Sequence, residues 1–254
     1  MESPLQELFL IAVGVLFGFM NSAASSGTAI SLPALFYLGL SPAVANATNR
    51  IPLLIGFAMA AFNFHRAGAI DWKRTFRMIF PVAVGTAIGA LFIGQLSGED
   101  IKILLAVALG ISLGLLVLNP RRMIAKWFVR EKKISPLSYL IMVAIGIWGV
   151  LIVLDTAAFL LFALIFNQGL DIIKANAIKS VLCLTIGIVS AAIFAFNGSV
   201  DLITGAWLSV GSIVGSYVGS RFALKESSRK WIFRLITAII LFDIIRLVVD
   251  VLIH

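Results

Sequence analysis

The chain is poor in charge: only 13% of its 254 residues are Asp, Glu, Lys or Arg, against roughly 25% in an ordinary soluble domain. With 61% hydrophobic residues, 20 basic and 12 acidic groups cannot cover a soluble surface. A single cysteine, Cys183, excludes a disulfide scaffold, and the apolar content excludes a disordered chain. The only histidines are His65 and His254, too few and too far apart for a metal cluster. The phosphate-loop pattern G-x-x-x-x-G-K-[ST] is absent, so ATP drive would have to come from another chain. The acid–base groups of an intramembrane lipid-phosphate enzyme are missing too. Every Glu (Glu2, Glu7, Glu99, Glu131, Glu226) falls at a span end or in a loop.

What the chain has is apolar length. Its mean hydropathy is +1.07, and nineteen Phe and five Trp are spread along it. A spanning helix takes about 20 residues, so this length allows about eight to ten membrane segments. Met1-Glu2-Ser3-Pro4 carries no basic region, so the first apolar run reads as part of the bundle and not as a cleaved signal. The net charge of +8 and pI near 10.0 would suggest nucleic acid in a soluble protein, but the positions of the cations exclude it. Most lie in three stretches between apolar runs: Arg66 to Arg77, Arg121 to Lys133 and Arg221 to Lys230. That is the positive-inside pattern of cytoplasmic loops.

An internal repeat organises the chain. At a constant offset of 130, Gly39-Leu40 and Ala45-Asn46-Ala47 recur as Gly169-Leu170 and Ala175-Asn176-Ala177. Asp71 falls on Asp201, and Val84-Gly85-Thr86 on Val214-Gly215-Ser216. Residues 1–120 form an N-terminal repeat, 121–136 a basic cytoplasmic linker, and 137–254 a C-terminal repeat. Each half has three expected spans (45–64, 77–96, 101–118; then 175–196, 201–220, 231–252) after one odd segment, 5–40 or 137–168. The odd segments are too long for one crossing and too short for two. A hairpin that enters the membrane and turns back fits each of them. The loop charges then invert between the halves: 65–76 and 119–136 are basic in the first half, and 221–230 in the second. The expected fold is an all-α polytopic membrane protein of two inverted-topology repeats. Each repeat is a re-entrant helical hairpin plus three transmembrane helices, about ten helices in all. Both termini are expected outside the cytoplasm, in a plasma membrane such as the bacterial inner membrane.

Polar residues concentrate where the hairpins turn. Asn21-Ser22-Ala23-Ala24-Ser25-Ser26-Gly27-Thr28 interrupts the first apolar run, and Asp155-Thr156 stands at the offset position of Ser25-Ser26. Backbone turning inside a membrane needs protein or a watered cavity to satisfy it. A second cluster follows each hairpin. Ser41-Pro42 reads as a helix start, which puts Thr48, Asn49 and Arg50 about two turns inside. Asp171 caps the equivalent helix, with Asn176 and Lys179 at matching depth. An intramembrane cation is expensive and points to function. The expected substrate site is therefore Asn21, Ser25, Ser26, Thr28, Thr48, Asn49, Arg50, Asp155, Thr156, Asn176 and Lys179, with Arg50 and Lys179 converging from opposite repeats. Asp243, Arg246 and Asp250 are spaced to pair along one helix face, and the paired glycines Gly85, Gly89, Gly215 and Gly219 read as close helix packing.

Gly18, Ser25-Ser26-Gly27, Pro33, Gly39, Ala45 and Thr48 resemble the N-terminal signature of the TauE/SafE sulfite-exporter family. The family's glycine triplet reads Ser25-Ser26-Gly27 here, and its Thr-Ser pair reads Thr48-Asn49. The resemblance implies a permease for sulfite, sulfoacetate or related organosulfonate anions. The expected function is secondary transport of small anions by alternating access, with an anion channel as the alternative and an intramembrane lipid-phosphate enzyme as the less favoured one. The expected partners are a small anionic substrate, the lipid bilayer and a coupling proton or ion, with homodimerisation left open and no cofactor called for.

Overall fold

The structure is a computed structural model that describes residues 4–25, 27–92, 130–151, 156–194 and 200–232, together with 234, 235 and 238. Every regular element among the described residues is helical. They are α1 (Pro4–Ala23), α2 (Thr28–Tyr37), α3 (Pro42–Thr48), α4 (Arg50–Arg66), α5 (Trp72–Phe92), α6 (Pro136–Leu151), α7 (Thr156–Phe162), α8 (Ile172–Phe194) and α9 (Leu202–Ala223). A π-helical turn, Ala163–Asn167, continues α7. Among the described residues four stretches are long and apolar enough to cross a membrane: Pro4–Ala23, Trp72–Phe92, Ile172–Ala192 and Leu202–Ala223. The expected span 101–118, most of 231–252, and Asp243, Arg246 and Asp250 lie outside the described residues.

Positions 130 apart do the same local work. Ser41 caps α3, its hydroxyl accepting from Val44 N at 3.5 Å. Asp171 caps α8, with Oδ1 accepting from Ile173 N at 2.8 Å. Asp71 accepts from Arg74 N at 3.0 Å at the start of α5, and Asp201 accepts from Ile203 N and Thr204 N at 3.1 Å at the start of α9. Such caps satisfy the orphan N–H groups of a first turn. Gly39 and Gly169 both take left-handed backbone, φ +86 and +68, which glycine adopts without a Cβ penalty. The turn after Gly39 is closed by Leu40 N donating to Leu35 O at 3.2 Å, and that after Gly169 by Leu170 N donating to Leu164 O at 3.1 Å. The second closure reaches one residue further back, where the π-helical turn Ala163–Asn167 precedes it.

The two odd segments are helical pairs, α1–α2 and α6–α7. Their arms differ: α1 has 20 residues and spans about 30 Å, whereas α2 has 10 and spans about 15 Å. The expected span 45–64 is not one helix. It divides at Asn49 into α3 and α4, because Pro52 has no N–H to give the Thr48 carbonyl. Its counterpart α8 has no proline and runs unbroken over 23 residues.

The halves pack by exchange. α1 of the first lies along α9 of the second, and α6 of the second along α5 of the first. Both contacts are glycine-lined, so the backbones nearly touch. A Cβ on Gly14 would run into the Leu208 carbonyl, and one on Gly215 into that of Val15. A Cβ on Gly85 would meet the Val143 carbonyl, and one on Gly146 that of Val82. α4 sits among α1, α8 and α9. One apolar core, including Phe57, Phe64, Met78, Phe162 and Leu182, fills the α4–α8 side. A smaller one around Leu10, Leu35 and Leu208 fills the α1–α2–α9 side. The outer surface carries large apolar residues such as Leu5, Phe76, Phe80, Leu91 and Leu140, as a lipid-facing surface does.

Candidate functional site

The α1–α2 interruption is built from α1's last residues. Asn21, Ser22 and Ser25 are buried there. The Asn21 Oδ1 accepts from Gly27 N at 2.9 Å and so bridges the break. Gly27 has no room for a side chain, since a Cβ would meet the Phe17 carbonyl and the Asn21 amide. Ser25 stands at φ +74, a conformation that costs a non-glycine residue about 1–3 kcal/mol unless its surroundings hold it.

Lys179 of α8 supplies that hold. It is fully buried, and its Nζ donates to the Asn21 carbonyl at 2.9 Å and to Ser25 Oγ at 2.8 Å. The ring of Phe57 lies 5.7 Å from the ammonium, within cation–π range. Among the described residues no carboxylate lies within ion-pair distance of Lys179. One turn earlier, Asn176 Nδ2 donates to the Ser22 carbonyl at 2.8 Å and the Ala23 carbonyl at 3.4 Å. Two α8 side chains thus satisfy the carbonyls that α1 leaves open at its end.

Arg50 does the reciprocal work at the other hairpin. It begins α4, is 5% exposed, and its Nη2 donates to the Val150 carbonyl at 2.8 Å. Val150 is the next-to-last residue of α6. A cation at a helix C-terminus is favoured by the helix dipole. Each half of the chain therefore places a buried cation on the last described residues of the other half's first helix.

Of the expected site residues, Asn21, Ser25 and Lys179 form one hydrogen-bonded group, and Asn176 binds the same end of α1 through the Ser22 and Ala23 carbonyls. Arg50 belongs to the opposite interruption, against α6. Asn49 is fully buried, and neither end of its amide has a hydrogen-bond partner. Thr28 is buried at the start of α2, and Thr156 at the start of α7, beside Gly149. Thr48 is engaged elsewhere, its Oγ1 accepting from Asp201 N at 3.0 Å, which ties α3 to the start of α9. Ser26 and Asp155 lie outside the described residues.

Sequence reading missed several participants. Ser31 buries a hydroxyl without a partner in ordinary small-residue context, and so does Ser22, which the sequence places in the interruption but outside the expected site. The Asn21 and Val150 acceptors are backbone carbonyls, which no side-chain pattern reveals. Ser212 donates to the Pro52 carbonyl at 2.8 Å and Ser216 to the Gly18 carbonyl at 3.2 Å. Their four-residue spacing on α9 was the available signal.

Apolar helices of spanning length around a buried, cation-bearing polar centre define a polytopic membrane protein with an internal polar site. The sulfite exporter TauE/SafE family matches residues 10–247, and the chain belongs to that family. It is similar to the probable membrane transporter protein YfcA of Escherichia coli strain K12, 28% identical over 232 residues, 90% of this chain and 85% of the relative. It is also similar to the probable membrane transporter protein ORF9 of a Sinorhizobium species, 25% identical over 226 residues, 87% of this chain and 84% of the relative. A probable membrane transporter protein of Haemophilus influenzae is 25% identical over 219 residues, 85% of each chain. No solved structure matches the chain. The protein is a membrane transporter of this family and not an enzyme.

Proposed function

We propose that the protein is a secondary transporter of small anions of the sulfite, sulfoacetate or organosulfonate kind, working by alternating access between two inverted repeats. The substrate sits where the helix interruptions meet, and an ion or proton gradient drives it. The observation that carries this reading is the pairing of buried cations with unpartnered buried amides and hydroxyls. Asn21 Nδ2, Ser22 Oγ and both ends of the Asn49 amide have no hydrogen-bond partner, beside Lys179 on one interruption and Arg50 on the other. Buried polar groups left unmade cost about 1–3 kcal/mol each. An oxyanion would accept from these donors and cations together, with charge-assisted bonds that a neutral solute does not form. The exchange of helix partners between halves supports a two-fold relation of the repeats, as in transporters whose site lies at the repeat interface.

The test is a thermal-shift screen of the purified protein against sulfite, sulfate, sulfoacetate, taurine and short carboxylates, followed by counterflow in proteoliposomes. Sulfur oxyanions should raise the melting midpoint, and preloaded anion should accelerate uptake of labelled anion. Stabilisation by neutral solutes alone would sink the anion reading, and flux without counterflow would point to a channel.

A further inference from the structure

Away from the buried site, a pocket of about 360 Å³ opens at the start of α5, lined by Asp71, Lys73, Arg74, Arg77, Lys133 and Ile134. Four of its six lining residues are cations and one is an acid. Arg74 is already engaged. Its guanidinium donates to Gln168 Oε1 at 3.1 Å and to the Lys132 carbonyl at 3.2 Å, and it pairs with Asp71 and Glu131 at 3.7 Å. Lys73, Arg77 and Lys133 have no carboxylate within ion-pair distance among the described residues. Three exposed cations thus face one cavity whose only acid is shared with a fourth.

The level of this pocket is marked by Trp72. Its indole N–H donates to His65 Nδ1 at 3.1 Å, and it is partly exposed, as tryptophans at a membrane–water boundary are. Along α5, Trp72, Phe76 and Phe80 recur every four residues and form a helical stripe. Phe76 is 64% exposed and Phe80 74%. Lys73 and Arg77 form the adjacent stripe, one residue further round at each turn. The helix therefore presents cations at headgroup depth beside aromatic rings that run on into the apolar zone. A soluble anion would use the cations alone; a lipid uses both stripes.

We propose that this pocket holds the phosphate of an anionic phospholipid, with Lys73, Arg77 and Lys133 as its contacts and the acyl chains along Phe76 and Phe80. The site is separate from the anion site at the helix interruptions, and the proposal does not rest on that reading. Basic pockets beside transmembrane helices recognise anionic headgroups by this combination of charge and apolar wall.

The experiment compares the full-length protein with the triple variant Lys73→Gln, Arg77→Gln, Lys133→Gln, and with Arg77→Gln alone. Phosphatidylglycerol or cardiolipin is added to delipidated protein, and retained lipid is counted by native mass spectrometry alongside the melting midpoint. The parent should retain anionic lipid and melt higher with it, and the triple variant should bind it roughly 100-fold more weakly. Without added lipid the two should melt alike, because all three side chains are exposed; with lipid, Arg77→Gln should retain an amount between theirs. Equal retention by parent and variants would overturn the proposal. So would equal retention of phosphatidylethanolamine, or inorganic phosphate giving the same shift as the lipid.

Discussion

Lys179 Nζ sits 2.9 Å from the carbonyl oxygen of Asn21, joining the two halves of the chain. Arg50 mirrors it on Val150 at 2.8 Å. The C-terminal carbonyls of two first helices are thereby closed by cations from the opposite half. A movement of the halves against each other must break or remake these bonds. On the proposed alternating-access reading, that couples the polar site to the relative motion of the halves.

Arg50→Lys keeps the charge at the α6 end and loses the guanidinium fork. A lysine cannot hold the Val150 carbonyl and offer a two-point contact to an oxyanion at once. Anion affinity in the Arg50→Lys protein should fall by about 1–3 kcal/mol, read by isothermal titration with sulfite. Parent-like affinity in both Arg50→Lys and Arg50→Ala would make Arg50 purely a helix clamp.

Lys179→Met replaces a fully buried ammonium with an apolar chain of similar length. The substitution relieves the buried charge but leaves the Asn21 carbonyl and Ser25 Oγ without their donor, which costs about 1–3 kcal/mol for each buried group left unpaired. The variant should fold but melt below the parent midpoint, and anion uptake per folded protein should be lost. Retained uptake would remove Lys179 from the transport path.

Gly215→Ala should destabilise the α1–α9 pair by about 1–3 kcal/mol, the scale of overpacking, since its Cβ would strike the Val15 carbonyl and crowd Phe19 N. Gly187→Ala is the control, because its nearest neighbour is the Leu54 side chain at 3.4 Å. Thermal melts of both in one detergent decide it: a similar loss at the two positions would contradict backbone contact as the cause.

Arg74→Ala would leave the fully buried Gln168 carboxamide without its Oε1 partner, which costs about 1–3 kcal/mol. Glu131→Gln should matter less. Its pairs with Lys174 and Arg74 involve a side chain that is 40% exposed, and such pairs contribute at most about 1 kcal/mol. Denaturation midpoints ranking the two variants the other way round would contradict this ordering.

Orientation is tested by cysteine labelling, for which Cys183 is no obstacle because it is buried. Ser41 and Ser227 are both exposed. With inverted repeats and termini outside, Ser41→Cys reacts with an impermeant maleimide in intact cells and Ser227→Cys only after permeabilisation. The opposite pattern would reverse the topology.

Much was legible in the sequence because it depends on local chemistry. Apolar length locates the helices, Ser41, Asp71, Asp171 and Asp201 cap them, and Gly39 and Gly169 end the segments before them. Residues 130 apart repeat these tasks, so the repeat could be read without coordinates. A cation inside an apolar run announces itself by its cost alone, as Arg50 and Lys179 did. The partners of those cations could not be read. They are backbone carbonyls of Asn21 and Val150, and every residue carries a carbonyl, so only the packing of α8 against α1's end and α4 against α6's selects which one accepts. The same limit hid the contact of Thr48, whose hydroxyl accepts from Asp201 N, 153 residues away. Sequence determines which groups must find partners; the tertiary structure decides which partners come within 3 Å, because hydrogen bonds are short and the helices that bring them together are distant in the chain.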